Sequence, residues 1–151
     1  MQGGKEVKMI IGVDADGVAF HYWFFFMRGA RKVIKQWLKD GHIVRLVTAR
    51  PFMLEWLTEL VMKLGGLGGV CVTHVGLEND KTEHLKDCDI VIDNNGYNLE
   101  SLGVEHRWLF WPNSGISTDR GMLVVGNWQE IAAAYRHLVF SESKQLIVKI
   151  L

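Results

Sequence analysis

The stretch Met9-Ile10-Ile11-Gly12-Val13-Asp14-Ala15-Asp16-Gly17-Val18 decides how the chain is read. A short apolar run enters two carboxylates and then a glycine. Apolar runs of this length, bounded by turn signals, suit a buried strand of a parallel sheet. In extended backbone Asp14 and Asp16 point to the same face. Two like charges there repel, and burial strips their water. A divalent cation is the simplest compensation; two solvated acids at an exposed strand end are the bland alternative.

The residues that follow are dense in rings: Phe20, Tyr22, Trp23, Phe24, Phe25 and Phe26. Such a run serves core packing or a subunit interface. It also serves as a flap beside the carboxylates, with Tyr22 and Trp23 stacking on a flat substrate group such as a base.

Further along, strands and helices alternate. Arg28 to Asp40 reads as a helix, with Val33, Ile34, Trp37 and Leu38 at helical spacing and Gly41 as its stop. His42 to Val47 reads as a strand ending at Thr48-Ala49-Arg50-Pro51. Pro51 opens a helix to Leu64, with Leu57, Leu60, Val61 and Leu64 on one face. The glycines at 65, 66, 68 and 69 follow a helix and lack a Gly-Lys-Ser/Thr ending, so they read as a turn rather than a phosphate loop. Val70 to Thr73 is a short strand, and Asn79 or Asp80 caps a helix starting at Lys81. Asp89 to Asp93 is a fourth strand, Asn94-Asn95-Gly96 a turn, and Asn98 to Gly103 a short helix. His106 to Trp111 is a fifth strand, followed by a loop to Arg120 and a last strand from Met122 to Val125. Trp128 to Val139 is helical, with Ile131, Ala132, Tyr135 and Leu138 facing inward. Residues 144–151 fit no pattern.

This alternation predicts an α/β fold over residues 1–151: a Rossmann-like three-layer domain, with a central parallel sheet and helices on both faces. A chain of 151 residues builds one core of this kind. In such sheets ligands bind at the carboxyl ends of the strands. Asp14 and Asp16, Thr48 with Arg50, and Asp93 with Asn94 all sit at those ends, with Lys81 at a helix start on the same side.

Bulk properties narrow the function. Lysine plus arginine and aspartate plus glutamate balance at 17 each, so no global basic field favours non-specific nucleic-acid binding. No apolar run approaches the ~20 residues of a membrane span, and residues 1–8 lack the apolar core of a signal peptide. Cys71 and Cys88 form neither a disulfide framework nor a metal spacing, and both are expected to be reduced, mostly buried thiols of a cytoplasmic protein. Six histidines (21, 42, 74, 84, 106, 137) show no ligand spacing. His21 and His74 are the two expected near the strand ends.

Asp14-Ala-Asp-Gly-Val18, the strand-terminal Thr48, Lys81, and Asp93 after Asp89-Ile-Val-Ile together resemble the haloacid dehalogenase superfamily of phosphotransferases. Cys88-Asp-Ile-Val-Ile-Asp-Asn-Asn95, Asn98-Leu99, Gly103, Leu109-Phe-Trp-Pro-Asn113 and Gly126-Asn-Trp-Gln-Glu-Ile131 resemble its 5′(3′)-deoxyribonucleotidase group. The resemblance spans nearly the whole chain. It implies that Asp14 attacks phosphorus to form an aspartyl-phosphate, while Asp16 protonates the leaving oxygen and then activates water. It implies Mg²⁺ held by Asp14, the Asp16 main-chain carbonyl and Asp93. Lys81 then serves as a point charge on the phosphoryl oxygens, with Lys86 as its rival. Thr48 donates to the phosphoryl group beside main-chain N–H groups near Ala15 and Ala49. Arg50 binds a second anionic group or caps an end.

Two departures stand out. Asn94 replaces the second acid many members carry after the Asp93 position, which implies weaker metal binding through its carbonyl or a held water. The segment from Asp16 to Thr48 has no room for the cap domain of the deoxyribonucleotidases. Base selection then falls to the aromatic flap, to another copy of the chain joined through that flap, or to a large substrate. The expected partner is a small phosphorylated substrate such as a nucleotide, with polynucleotide ends or a phosphoprotein as alternatives. A non-catalytic phosphate-binding module of the same fold is the reading from a different class.

Overall fold

The computed structural model describes residues 7–76 and 81–150. In chain order the elements are β1 (Ile10–Asp14), β2 (Phe20–Tyr22), β3 (Phe25–Phe26), α1 (Ala30–Lys39) and β4 (Ile43–Thr48). A 3₁₀ turn (Phe52–Leu54) then leads into α2 (Glu55–Leu64), β5 (Cys71–His74), α3 (Thr82–Leu85), β6 (Ile90–Asp93) and α4 (Gly96–Glu100). The chain closes with β7 (His106–Phe110), β8 (Ser117–Asp119), β9 (Met122–Val125) and α5 (Trp128–Ile150). Seven strands form one sheet in the order β5-β4-β1-β6-β7-β9-β8. Every pairing is parallel except the β8–β9 edge.

The apolar runs form strands because both faces of the sheet are covered. Met9, Ile11 and Val13 pack with Ile34 and Trp37 of α1 and with Trp128 and Ile131 of α5. Val91, Leu109 and Val124 pack on the opposite face with Leu85 of α3 and Leu99 of α4. Each fully buried branched side chain stabilises the fold by roughly 1.5–3 kcal/mol relative to exposure. At Gly12, inside β1, an added β-carbon would lie 2.5 Å from Leu85 Cδ2 and 3.1 Å from Cys88 Sγ, so Leu85 would have to shift.

Several expectations change. The aromatic run is a hairpin, β2–β3. Phe20 is buried in the core, whereas Tyr22, Trp23 and Phe25 are exposed. The inner face of α2 is Thr58 and Met62, and Leu60 and Leu64 face solvent. Thr58 turns inward because His74 offers its hydroxyl a partner at 3.1 Å. The predicted loop to Arg120 contains β8, which pairs with β9 through a two-residue turn with positive φ at Arg120 and Gly121. The helix after β6 begins at Gly96, since Asn95 caps it by accepting from Tyr97 N at 3.0 Å. The last helix runs on to Ile150. Asn127 Oδ1 accepts from Glu130 N at 2.9 Å, and Glu130 accepts from Gly126 N at 2.6 Å, which fixes where that helix starts. Cys71 is exposed; Cys88 is buried, and burial pushes its thiol up to about 11. The cap expected at Asn79 or Asp80 lies outside the described residues. Among the described residues no helix is long and apolar enough to cross a membrane.

Candidate active site

From β1 the chain moves outward to β4 and β5, then returns to the other side of β1 as β6 and β7. That reversal opens a crevice at the carboxyl ends of β1 and β6. Asp14 ends β1, Asp93 ends β6, Thr48 ends β4 and His74 ends β5. All four side chains are buried.

Asp14 is 6% exposed and forms an ion pair with Lys81 Nζ, brought in from beyond β5. Burial, then the charge of neighbouring Asp93, pushes the Asp14 carboxyl up to about 7, with Lys81 pulling the other way. Lys86 points elsewhere and pairs with Glu83 at 2.7 Å on the surface. Of the two lysines, Lys81 is therefore the one beside Asp14. Asp93 is held by Asn95 N at 2.9 Å and Asn98 Nδ2 at 3.2 Å. These donors fix its orientation while leaving carboxylate lone pairs uncommitted.

Asp16 does not share a strand face with Asp14, because β1 ends at Asp14 and the chain turns. Its carboxylate takes a fork from Arg50: Nη2 at 2.6 Å to Oδ1, and Nε at 3.0 and 3.2 Å to the two oxygens. Thr48 Oγ1 donates to Asp16 Oδ2 at 3.3 Å and accepts from Arg50 N at 3.2 Å. The Thr48 hydroxyl, expected on a phosphoryl oxygen, thus serves Asp16 in this state. The Ala15 N–H, expected to face a phosphoryl group, is bonded to Val47 O at 3.3 Å. Ala49 is half-buried next to Thr48. Gly17 has φ of 83°, and a β-carbon there would run into the Asn94 side-chain amide. Asn94 is therefore packed against the loop carrying Asp16.

Arg50 also donates from Nη2 to Trp23 O, and its guanidinium lies 4.4 Å from the Phe24 ring centroid. The hairpin is thereby tied to the strand ends. Tyr22 and Trp23 project from it, 63% and 59% exposed, with their rings edge to face. His21 is exposed.

Three residues were not singled out for roles that the structure gives them, His74 and Asn98 through their side chains and Asn95 through its main-chain N–H. His74 holds Arg50 O and Pro51 O, each at 3.2 Å, and so sets the loop after β4. Asn95 and Asn98 orient Asp93. Only His74 left a signal, as a histidine ending a strand.

Among the described residues no group of three or more histidine, cysteine or acidic side chains forms a metal cluster. Mg²⁺ does not need one: it is commonly held by one or two carboxylates with the remaining positions on water or substrate. Asp14 and Asp93 suit that requirement. They are two buried carboxylates close enough for one to raise the other, with Lys81 the cation ion-paired beside them. No family model, no curated protein and no solved structure matches this chain. The functional reading therefore stands on the site itself.

Proposed function

We propose that this chain is a Mg²⁺-dependent phosphomonoester hydrolase of the haloacid dehalogenase type, capless, cytoplasmic, and working through an aspartyl-phosphate on Asp14. The observation that carries the reading is the buried Asp14–Lys81 pair beside Asp93 at the point where strand order reverses. Phosphate esters are anionic, so a carboxylate nucleophile needs cations at the attack site. Lys81 supplies one. Mg²⁺ on Asp14 and Asp93 would supply the second, neutralising charge between nucleophile and phosphoryl oxygens. Asp14 attacks phosphorus, the ester P–O bond breaks, and Asp16 protonates the departing oxygen. Asp16 then takes a proton from the water that cleaves the acyl phosphate. Thr48, released from Asp16, donates to a phosphoryl oxygen.

The test is hydrolysis of p-nitrophenyl phosphate. Turnover is expected with Mg²⁺, lost with chelator, and at background in Asp14→Asn. Wild-type protein without turnover on any phosphomonoester, or full turnover in Asp14→Asn, would remove the reading and favour a phosphate-binding module. Nucleotides are the first substrates to screen, because Tyr22 and Trp23 offer exposed rings beside the site. Phosphorylated polynucleotide ends come next. Among the described residues a two-stranded hairpin is what stands between β1 and α1, which leaves room on that side for a large substrate.

A further inference from the structure

We infer that Arg50 is the positioning residue of Asp16, fixing the orientation of its carboxylate and joining it to the aromatic hairpin. The inference rests on the phosphatase reading above and adds a residue to it. Asp16 lies in a turn beyond β1 with its side chain 55% exposed. Its other hydrogen bond, from Thr48, is long at 3.3 Å. Left to itself, such a carboxylate rotates among rotamers. The fork from Arg50 sets both the rotation and the tilt of the carboxylate plane, which a lysine in its place cannot do.

Arg50 is itself firmly held. Its side chain is 11% exposed. Its ring contacts are Phe24, at 4.4 Å, and Phe20, at 5.3 Å. Its carbonyl is held by His74 at 3.2 Å. Its Nη1 is buried and has no partner among the described residues. That arrangement argues against a direct role on substrate, because the only uncommitted donor is covered. Through the Trp23 carbonyl the same guanidinium reaches the hairpin turn, where Trp23 holds φ of 48°. A ring docking on Tyr22 or Trp23 therefore bears on Asp16 through Arg50.

Leaving-group dependence reads this role. An alkoxide needs a proton from Asp16 to depart: Oδ2 carries it once Thr48 turns to the phosphoryl group, while Oδ1 stays on Arg50 Nη2 and Nε; p-nitrophenolate leaves without that proton. In Arg50→Gln, kcat/KM on glycerol phosphate is expected to fall about 100-fold, against about tenfold or less on p-nitrophenyl phosphate. Arg50→Lys, which keeps the charge without the fork, should show the same pattern more weakly and serves if Arg50→Gln does not fold. In an Asp16→Asn background, Arg50→Gln should lower kcat/KM on glycerol phosphate no further. Equal losses on both esters, or a further loss in the Asp16→Asn background, overturn the positioning role alone. Wild-type protein that hydrolyses neither ester overturns the phosphatase reading, and this role with it.

Discussion

Gly17 and Gly41 share a left-handed backbone, at φ of 83° and 87°, yet differ in what surrounds them. At Gly41 a β-carbon would meet nothing within 4 Å, so only backbone strain opposes a side chain. At Gly17 the β-carbon would also strike Asn94, which must then move. Strain of this kind is worth about 1–3 kcal/mol. Gly41→Ala is expected to destabilise by about 1 kcal/mol and leave turnover unchanged. Gly17→Ala should destabilise more, and it should lower turnover because Asp16 is its neighbour in the chain. Urea denaturation alongside p-nitrophenyl phosphate assays measures both effects. Equal stability loss in the two variants would mean that Asn94 does not confine the loop. The sequence marks Gly17 as a turn residue after an acid; that Asn94 closes over it comes from two strand ends meeting, which no local pattern carries.

At the scale of elements, α5 anchors the first loop of the site. Trp128 is fully buried and donates from Nε1 to Val18 O at 2.8 Å, two residues from Asp16. Its β-carbon side packs on Gly29, where an added β-carbon would sit 3.2 Å away. Trp128→Phe keeps a ring but leaves the Val18 carbonyl without its donor and opens a void, a loss of about 2–4 kcal/mol. A shift in the denaturation midpoint with an unchanged slope would report this; a loss under about 0.5 kcal/mol would show the bond to be dispensable. The same scale explains which elements were legible. β1, β4 and β6 were, because each is a largely apolar run that stops at a polar residue, and β7 was because its Trp108-Leu109-Phe110 half is apolar, as burial on both faces requires. β8 was not: Ser117, Thr118 and Asp119 are all exposed, and only pairing with β9 makes them a strand. The β2–β3 hairpin was hidden because its ring-rich sequence carries no polar alternation, so core and surface rings look alike. In α2, Leu60 and Leu64 fit a helical period as well as Met62 does, and the inward turn of Thr58 depends on His74 from another strand.

At the scale of the whole molecule, the sheet gathers negative charge at one point. Asp14 and Asp93 were legible as neighbours at the strand ends because parallel strands in this order bring those ends together whatever the side chains do. The Arg50–Asp16 fork and the donors on Asp93 depend on rotamers and on contacts across long sequence separations, and no spacing encodes them. The gathered charge makes its own prediction. The Asp14 carboxyl sits at about 7 in the fold against an ordinary 3.8, so the native state holds a proton that the unfolded chain releases. Its stabilising contribution is fully present below about pH 4 and is lost as pH rises through about 7. The span is on the order of 4 kcal/mol at 1.36 kcal/mol per pKa unit. A cation on Asp14 and Asp93 would have to displace that proton, so its binding is expected to be poor at pH 5 and good at pH 8. Added Mg²⁺ should therefore raise Tm by several degrees at pH 8 and little at pH 5. Asp14→Asn should flatten both the pH slope of stability and the Mg²⁺ response. Thermal melts of wild type and variant at the two pH values, with Mg²⁺ and with chelator, make the comparison. A Mg²⁺ response equal at both pH values, or one preserved in Asp14→Asn, would place the cation away from Asp14.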